Sequence, residues 1–386
     1  MGGNSTLVLL APCLYLTTAV FIRRPPFVFV ASVLVVLALG GCGKRKKGDA
    51  YTMVQVAAQS ERACAAMKDG TVRCWGRNDD GAFGAQGDVR TPTVVAGFSG
   101  ALEVAVGPRI VCARDKEHVR CVGHGAPRIV APTELAGVEG PERVAVGDGH
   151  VCLIHHGGRV ACMGRDDHGQ LGDGKRDERW SLADVPTIGG AVDLAAAGDT
   201  TCAVLDDETV RCWGRGDEGQ LGNGKNEDAL VPDPVRTLGA RKVSVGPHHA
   251  CAKLANETAL CWGRNDHGQL GDGTTASRNV PRPVTGLLIV DTLAVGESHA
   301  CARMGDSTIR CWGKNDVHQA ALASTEDALE PKLVTGLYES EAVTVGSDFS
   351  CVRMKDGWLR CWGQNFRGEL ADGTTELRAI PNPIKY

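Results

Sequence analysis

The sequence predicts an all-β chain folded as a seven-bladed β-propeller, with four short strands and one intra-blade disulfide per blade. Three observations carry that prediction. Cysteines come in seven pairs: Cys64 with Cys74, Cys112 with Cys121, Cys152 with Cys162, Cys202 with Cys212, Cys251 with Cys261, Cys301 with Cys311, and Cys351 with Cys361. The first cysteines recur at intervals of 48, 40, 50, 49, 50 and 50 residues, a period that belongs to solenoids and propellers. The chain also has 50 glycines among 386 residues, set between short apolar runs. That composition marks many tight turns and many short strands.

Residues 1–41 are expected to be a signal peptide outside the fold. Residues 7–22 are uncharged, Arg23 and Arg24 follow, and residues 25–43 are again uncharged, running into Leu39-Gly40-Gly41-Cys42. Basic residues, an apolar stretch and small residues before a cut have the layout of a secretory leader. The last four residues resemble the lipobox of bacterial lipoproteins. That resemblance implies that Cys42 becomes the first residue of the mature chain and carries a diacylglycerol. A membrane-spanning anchor over residues 25–43 is the competing reading. The first apolar segment is surplus to a leader of ordinary length, so translation is expected to begin near Val20, leaving residues 1–19 unmade.

Residues 42–50 then form a lipid-anchored tether. Its Lys44-Arg45-Lys46-Lys47 run is either simply solvated or held against anionic headgroups, and it works somewhat against export. The net charge of −4 gives no basic excess of the kind that nucleic-acid binding needs.

Residues 51–386 hold the repeats, and each element of a repeat has a reason. A β-rich run opens the unit, as in Val104-Ala105-Val106, Val243-Ser244-Val245 and Val343-Thr344-Val345. A glycine usually follows five residues before the first cysteine: Gly107, Gly147, Gly246, Gly296 and Gly346, with Gly198 displaced by one. It implies a turn that a side chain would obstruct. Between the paired cysteines lies a hairpin, centred on Asp69-Gly70 in the first unit. Pairing about residue 69 sets Cys64 opposite Cys74 and Ala66 opposite Val72. Opposed cysteines at a non-hydrogen-bonded pair reach disulfide distance. The nine-spaced pair, Cys112 and Cys121, does the same around a two-residue turn at Lys116-Glu117.

The fourteen paired cysteines leave only Cys13 and Cys42. No CxxC occurs, and the spacing fits zinc poorly. Each staple closes a loop of about ten residues, worth roughly 2–3 kcal/mol in the chain-entropy model.

Trp-Gly follows the second cysteine in five units, with Trp75, Trp213, Trp262, Trp312 and Trp362; Val122 and Met163 stand in the other two. These residues lie on the strand face opposite the cysteines, where a Trp is expected to pack between units. A Gly- and Asp-rich loop comes next, reading GQLGDG at 169–174 and 268–273, GQLGNG at 219–224 and GELADG at 368–373. Proline-containing segments such as Val280-Pro281-Arg282-Pro283-Val284 end the unit as edge strands, where a missing amide donor is tolerated.

The strings GPHHACAKL, CWGRNDHGQLGDGT and VPRPV resemble the regulator of chromosome condensation repeat, over about residues 51–386. The resemblance implies a seven-bladed propeller. The family's Gly-x-x-His segment matches at Gly147 with His150, Gly246 with His249 and Gly296 with His299. The family's best-known intracellular member is a chromatin-bound guanine-nucleotide exchange factor. Paired cysteines in every unit, an export signal and no basic face argue against exchange activity here. A secreted β-lactamase-inhibiting propeller, related in architecture, implies that the scaffold can bind proteins outside the cell.

The loops after Trp-Gly carry a basic residue and an Asp two later in five units: Arg77 and Asp79, Arg165 and Asp167, Arg215 and Asp217, Arg264 and Asp266, Lys314 and Asp316. They read either as local turns or as a charged ring that meets a partner, with Arg165, Arg215 and Arg264 as contacts. Trp180, beside GKRDER and outside the repeat register, reads either as an interface anchor or as a residue tucked under its own loop.

No catalytic motif of the GxSxG, HExxH or P-loop kind occurs, and no cofactor or metal is expected. The sequence therefore predicts a monomeric, non-enzymatic binding scaffold anchored in a bacterial cell envelope, with an unidentified envelope or extracellular protein or glycan as partner. The alternative is an extracytoplasmic enzyme acting on glycan or peptide at the channel mouth. An enzyme should show convergent carboxylates or histidines there, with perturbed pKa values.

Overall fold

Twenty-eight strands form seven four-stranded antiparallel sheets in the computed structural model, which describes residues 52–124, 129–237 and 239–384. The leader, Cys42 and the basic tether lie outside the described residues. In every sheet the spatial order of strands follows the chain. The first blade runs Met53–Gln59, Arg62–Met67, Val72–Gly76, Val89–Val94. The last runs Ser340–Val345, Phe349–Met354, Leu359–Gly363, Arg378–Pro383. Each blade is a meander whose first strand is innermost, and no strand is shared between the first and last blades.

All seven cysteine pairs are disulfides within a blade. Cys64 is bonded to Cys74, Cys112 to Cys121, Cys152 to Cys162 and Cys202 to Cys212. Cys251 is bonded to Cys261, Cys301 to Cys311 and Cys351 to Cys361. Each bond joins the second strand to the third, with Cα atoms 4.0–4.1 Å apart in the first two blades, the close approach of a non-hydrogen-bonded pair. Cys64 faces Cys74 and Ala66 faces Val72. The nine-residue spacing is absorbed at Lys116-Glu117, where the Asp115 N–H donates to the His118 carbonyl at 3.0 Å and Cys112 still faces Cys121. Seven buried disulfides fit an oxidising compartment outside the cytosol.

Blades are joined by the repeat tryptophans. Each is fully buried and donates its indole N–H to a backbone carbonyl in the loop of the preceding blade. Trp213 reaches Gln170, Trp262 reaches Gln220 and Trp312 reaches Gln269, all at 2.9 Å. Trp362 reaches Gln319 at 3.0 Å. Trp75 of the first blade reaches Glu369 of the last at 2.9 Å, and so closes the ring. The loop glycine beside the indole is forced: Gly271 has φ +66°, and a Cβ there would meet the Trp312 indole at 2.9 Å.

The two units without this Trp follow the same rule. The first-blade loop carries Phe83 where others carry Leu171, Leu221, Leu270 and Leu370, and Phe83 shares a core cluster with Val122 of the second blade. The larger loop residue is matched by a smaller strand residue. In the second blade only residues 124–128 join the third strand to the fourth, and Met163 takes the Trp position of the next blade.

The hub is knit by side chains that cross to the neighbouring inner strand. The Gln55 amide accepts the Val104 N–H at 2.9 Å and donates to the Val104 carbonyl at 3.1 Å. Asp193 accepts from Val243 at 3.0 Å, Ser244 from Val295 at 3.2 Å, and Thr344 from Ala58 at 2.9 Å. Arg143 pairs with both Glu103 and Asp193. The edge amides around the axial channel are satisfied in this way without a shared strand.

The residue after the loop's basic position laces the loop. Asn78, Asn265, Asn315 and Asn365 accept a loop N–H, from Phe83, Leu270, Ala320 and Leu370 respectively. Their amide groups donate to loop carbonyls, for example Asn265 to Ala276 at 3.1 Å and Asn315 to Ser324 at 2.7 Å. In the third blade this residue is Asp166. Its Oδ1 accepts from Leu171 at 2.9 Å, but its Oδ2 is buried without a partner. Burial pushes the carboxyl up to about 6, with Asp173 adding to the shift and the Leu171 N–H and Arg179 opposing it. A protonated Asp166 would present a donor where the other blades present an amide.

Both features can be measured by denaturant unfolding. Trp312→Phe removes the indole's five-membered ring from a fully buried site and strands the buried Gln269 carbonyl, and should cost at least about 1–3 kcal/mol of stability. Because the folded-state pKa of Asp166 lies above its unfolded value, the fold is favoured by the protonated form, and the loss sets in as pH rises from about 4 through 6. Asp166→Asn should therefore stabilise the protein by about 1–2 kcal/mol at pH 8, discounting for solvent, and by little at pH 4. Unfolding curves of wild type and Asp166→Asn at the two pH values measure the difference.

Candidate interaction face at the channel mouth

One end of the propeller gathers the turns between inner and second strands and the loops after Trp-Gly. The turn glycines pack blade against blade around the axial opening. A Cβ on Gly107 would meet the Gly147 carbonyl at 2.5 Å, one on Gly246 the Gly296 carbonyl at 2.0 Å, and one on Gly296 the Gly346 carbonyl at 2.4 Å. Close approach of the next blade is what excludes a side chain here; none of these three glycines has a positive φ.

The three repeat histidines lie fully buried beside these turns and do not converge. His150 Nε2 meets Thr201 Oγ1 of the next blade at 2.8 Å, and His299 Nε2 meets Ser350 Oγ at 2.9 Å. His249 faces the same register position, but Ala300 stands there with no hydroxyl. Burial lowers their pKa values to about 3 for His150 and His249 and about 4 for His299. All three are neutral, His150 and His299 link neighbouring blades, and the burial of the three weakens the fold as pH falls below about 6.5. Among the described residues no group of His, Cys and carboxylates is arranged to hold a metal ion. The Asp272 carboxylate in the GQLGDG loop already accepts from the Thr274 N–H at 3.0 Å and from the Thr274 hydroxyl at 2.6 Å.

A cavity of about 320 Å³ opens at the mouth, lined in part by Asp148, Asp199, Arg215, His248 and Glu297. Asp148 pairs with Arg109 at 3.0 Å, His248 pairs with Glu218 at 2.7 Å, and Asp199 accepts from Gln170 at 3.1 Å. Adjacent Asp348 accepts from Gln319 at 3.1 Å and pairs with Lys314 at 3.5 Å. Burial raises the pKa of Asp199 and of Asp348; Arg165 and Lys314, respectively, oppose the shift.

Around the mouth the basic loop residues each pair with the Asp two residues on. Arg215 Nε lies 2.9 Å from Asp217, Arg264 Nε 2.9 Å from Asp266, Arg165 Nε 3.0 Å from Asp167, and Arg77 Nε 2.9 Å from Asp79. Lys314 sits 3.2 Å from Asp316. The Arg215 guanidinium holds the Asp217 carboxyl below the usual carboxylate range. The local turn and the charged ring are thus the same arrangement: five ion-paired arms on one rim.

Trp180 stands elsewhere. It lies in the outer strand Arg179–Asp184, in register with Leu230, Asn279, Leu329 and Arg90 of other blades. Those four are covered by a loop glycine of the preceding blade: Gly169, Gly219, Gly268 and Gly368. The second blade's sequence has only residues 124–128 at the corresponding connection, and Trp180 packs half-buried against the cluster of Met163 and Leu135. Its place in the repeat register, hidden in the sequence, is set by the short connection next door.

The aromatic residue that the sequence reading passed over is Phe366. It occupies the position of the paired Asp in the seventh loop and is 63% exposed on the mouth face. The signal was an apolar residue in a register that is otherwise Asp in five units.

A family model for the regulator of chromosome condensation repeat matches residues 207–252 and 258–303. A second model of that repeat matches residues 53–82, 191–220, 240–269, 290–319 and 341–369. The unmatched stretch between 82 and 191 holds the two irregular blades. No curated protein sequence matches the chain.

Among solved structures, human WBSCR16 is similar with TM-score 0.74 and 20% identity, over 82% of this chain and 94% of that one. Prp20p from Saccharomyces cerevisiae, described with its binding to Gsp1p and histones, gives TM-score 0.70 and 17% identity, over 77% and 81%. The ectodomain of the Arabidopsis thaliana receptor kinase ACR4 gives 0.52 and 18%, over 81% and 97%. At these identities the likeness is one of fold. With matching repeats in five blades and seven equivalent sheets, this chain belongs to the regulator of chromosome condensation repeat family.

Proposed function

We propose that the protein is a non-enzymatic binding scaffold, held on a bacterial cell envelope by a lipid at Cys42, which engages a protein or glycan through its mouth-face loops. The observation that carries this reading is the rim itself. Arms of like construction are laced to their own backbones and ion-paired, so little ordering entropy remains to be lost on binding. Phe366 offers an exposed aromatic anchor among them, and Arg165, Arg215 and Arg264 supply charge at the edge. Family membership supports a binding role, and seven disulfides suit an extracytoplasmic site. The partner is an envelope or extracellular macromolecule, and the scaffold acts as a monomer.

A second reading has one observation in its favour: carboxyls with raised pKa at the mouth cavity, Asp199 and Asp348. It requires turnover of an added glycan or peptide that Asp199→Asn abolishes. The pairing of each carboxyl with an amide or a cation favours the scaffold.

A photo-crosslinking residue placed at Phe366, and separately at Ile380 on the outer strand, tests the reading in intact envelopes. Ile380 is 70% exposed and serves as the control. Specific adducts should form at position 366 and not at 380. Equal labelling at both, or none at 366, removes the mouth face from the proposal.

A further inference from the structure

The end opposite the mouth carries the hairpin tips and the connections into the inner strands. Backbone bonds join tip to connection, as from Lys68 to the Thr52 carbonyl at 2.8 Å, Gly305 to Ile289 at 2.7 Å and Lys355 to Glu339 at 3.0 Å. Large exposed apolar side chains collect at this end: Val54, Leu102, Leu288, Ile289, Tyr338 and Trp358. They belong to blades six, seven, one and two, which are consecutive on the ring; Val192 of blade four, 56% exposed in the register of Val54, lies outside that arc.

The repeat register shows which of them are anomalous. Ile289 has φ +60°, a conformation that disfavours a β-branched side chain. Four other blades place glycine there: Gly100, Gly140, Gly190 and Gly239, all with positive φ. Leu288 and Tyr338 are 72% and 75% exposed at a position that is Ser99, Glu139 or Gly189 in blades two to four, with Leu238 in the sequence of blade five. Gly305 leaves room for part of Ile289, since a Cβ there would meet its Cγ2 at 2.4 Å, but most of Ile289 and of Leu288 stays exposed, and a surface that covers them gains what folding does not.

The course of the chain identifies that surface. The described chain starts at Thr52, on this end and in the first blade, inside the apolar arc. Residues 42–51 precede it, a span of at most about 35 Å when extended. Tyr338 and Trp358 are the amphipathic aromatics that favour a headgroup region. Four of the neighbouring carboxylates have close partners, while Glu339 beside Tyr338 is exposed and lies 3.9 Å from Lys355. Asp291 pairs with Arg303 and Glu341 with Arg353. Asp306 accepts the Thr308 N–H at 2.9 Å and Asp356 the Trp358 N–H at 2.8 Å. The Lys44–Lys47 run beside Cys42 adds attraction to anionic lipid.

We propose that this end of the propeller rests on the lipid bilayer, with Leu288, Ile289, Tyr338 and Trp358 in the headgroup region and the mouth face directed away from the membrane. This rests on the lipid-anchor reading above.

The test uses the full mature lipidated protein in vesicles of phosphatidylethanolamine and phosphatidylglycerol, with and without brominated acyl chains. Flotation reads the anchor, and bromolipid quenching of tryptophan reads the docking. The five inter-blade tryptophans are fully buried and Trp180 lies toward the mouth end, where Arg179 pairs with Gly164, so the quenched emission should be the part lost in Trp358→Phe. A double variant, Leu288→Asp with Ile289→Gly, should still float and still unfold cooperatively, but lose that quenching. Flotation without quenching of Trp358, or quenching unchanged in the double variant, overturns the proposal while the anchor stands. Wild-type protein that does not float overturns the anchor and the orientation together.

Discussion

An indole N–H reaching back to the preceding blade's loop carbonyl is the contact on which the ring depends. Disulfides such as Cys202–Cys212 and Cys251–Cys261 hold the second and third strands of each blade to one another, but they do nothing between blades. The order of strands in every sheet follows the chain, so no strand exchange locks the first blade to the last. Closure rests on the Trp75 bond to Glu369, on Gly373 donating to the Arg90 carbonyl at 3.0 Å, and on Thr344 capping Ala58. A ring that closes by the same bonds as its other joints needs seven nearly equal interfaces. Where one changes, its partner across the joint must change with it.

That constraint explains the irregular units better than a search for function does. Val122 is small because Phe83 across the joint is large. Met163 stands without an indole across from the second blade, where only residues 124–128 join the third strand to the fourth. Trp180 fills the outer-strand register that a neighbouring loop covers in other blades. Arg62 takes the place of a repeat histidine and turns instead to Asp80 at 2.8 Å, over the Phe83 ring at 5.5 Å.

Much of the fold could be read in the sequence because its signals are local. The cysteine period, the Asp69-Gly70 turn and the symmetry about residue 69 lie within one hairpin and needed no neighbour. Every pair from Cys64 with Cys74 to Cys351 with Cys361 could be assigned on that basis, the short one at Cys121 included. The inter-blade role of the tryptophans followed from strand alternation. What could not be read depends on residues about fifty positions away. The shared register of Trp180 with Leu230 needs the strand pairing on both blades. The missing hydroxyl opposite His249 is a property of Ala300. The pairing of Arg215 with Asp217 was visible as spacing, but whether the Arg projected or folded back is decided by loop geometry. Phe366 was legible and missed, because the loop pattern is defined by the residues that keep it, and the informative one breaks it.

A repeat protein can depart from its pattern for two reasons, and the joints separate them. Val122, Met163, Trp180 and Arg62 are each answered by another change within the ring, so they belong to folding. Phe366, Leu288 and Tyr338 are not answered by anything in the described chain, whereas Ile289 is met by Gly305, where a Cβ would lie 2.4 Å from its Cγ2. They expose apolar surface at positions where most other blades place Asp, Ser, Glu or Gly, and Ile289, though accommodated by Gly305, stays exposed in a backbone conformation that costs it energy. Unanswered departures fall on opposite ends of the axis: one aromatic among the charged arms of the mouth, and an apolar arc around the point where the chain comes in. A propeller with its chain leaving one end and rigid arms on the other is polar by construction, and two different surroundings, one at each end, are what such a distribution of side chains fits.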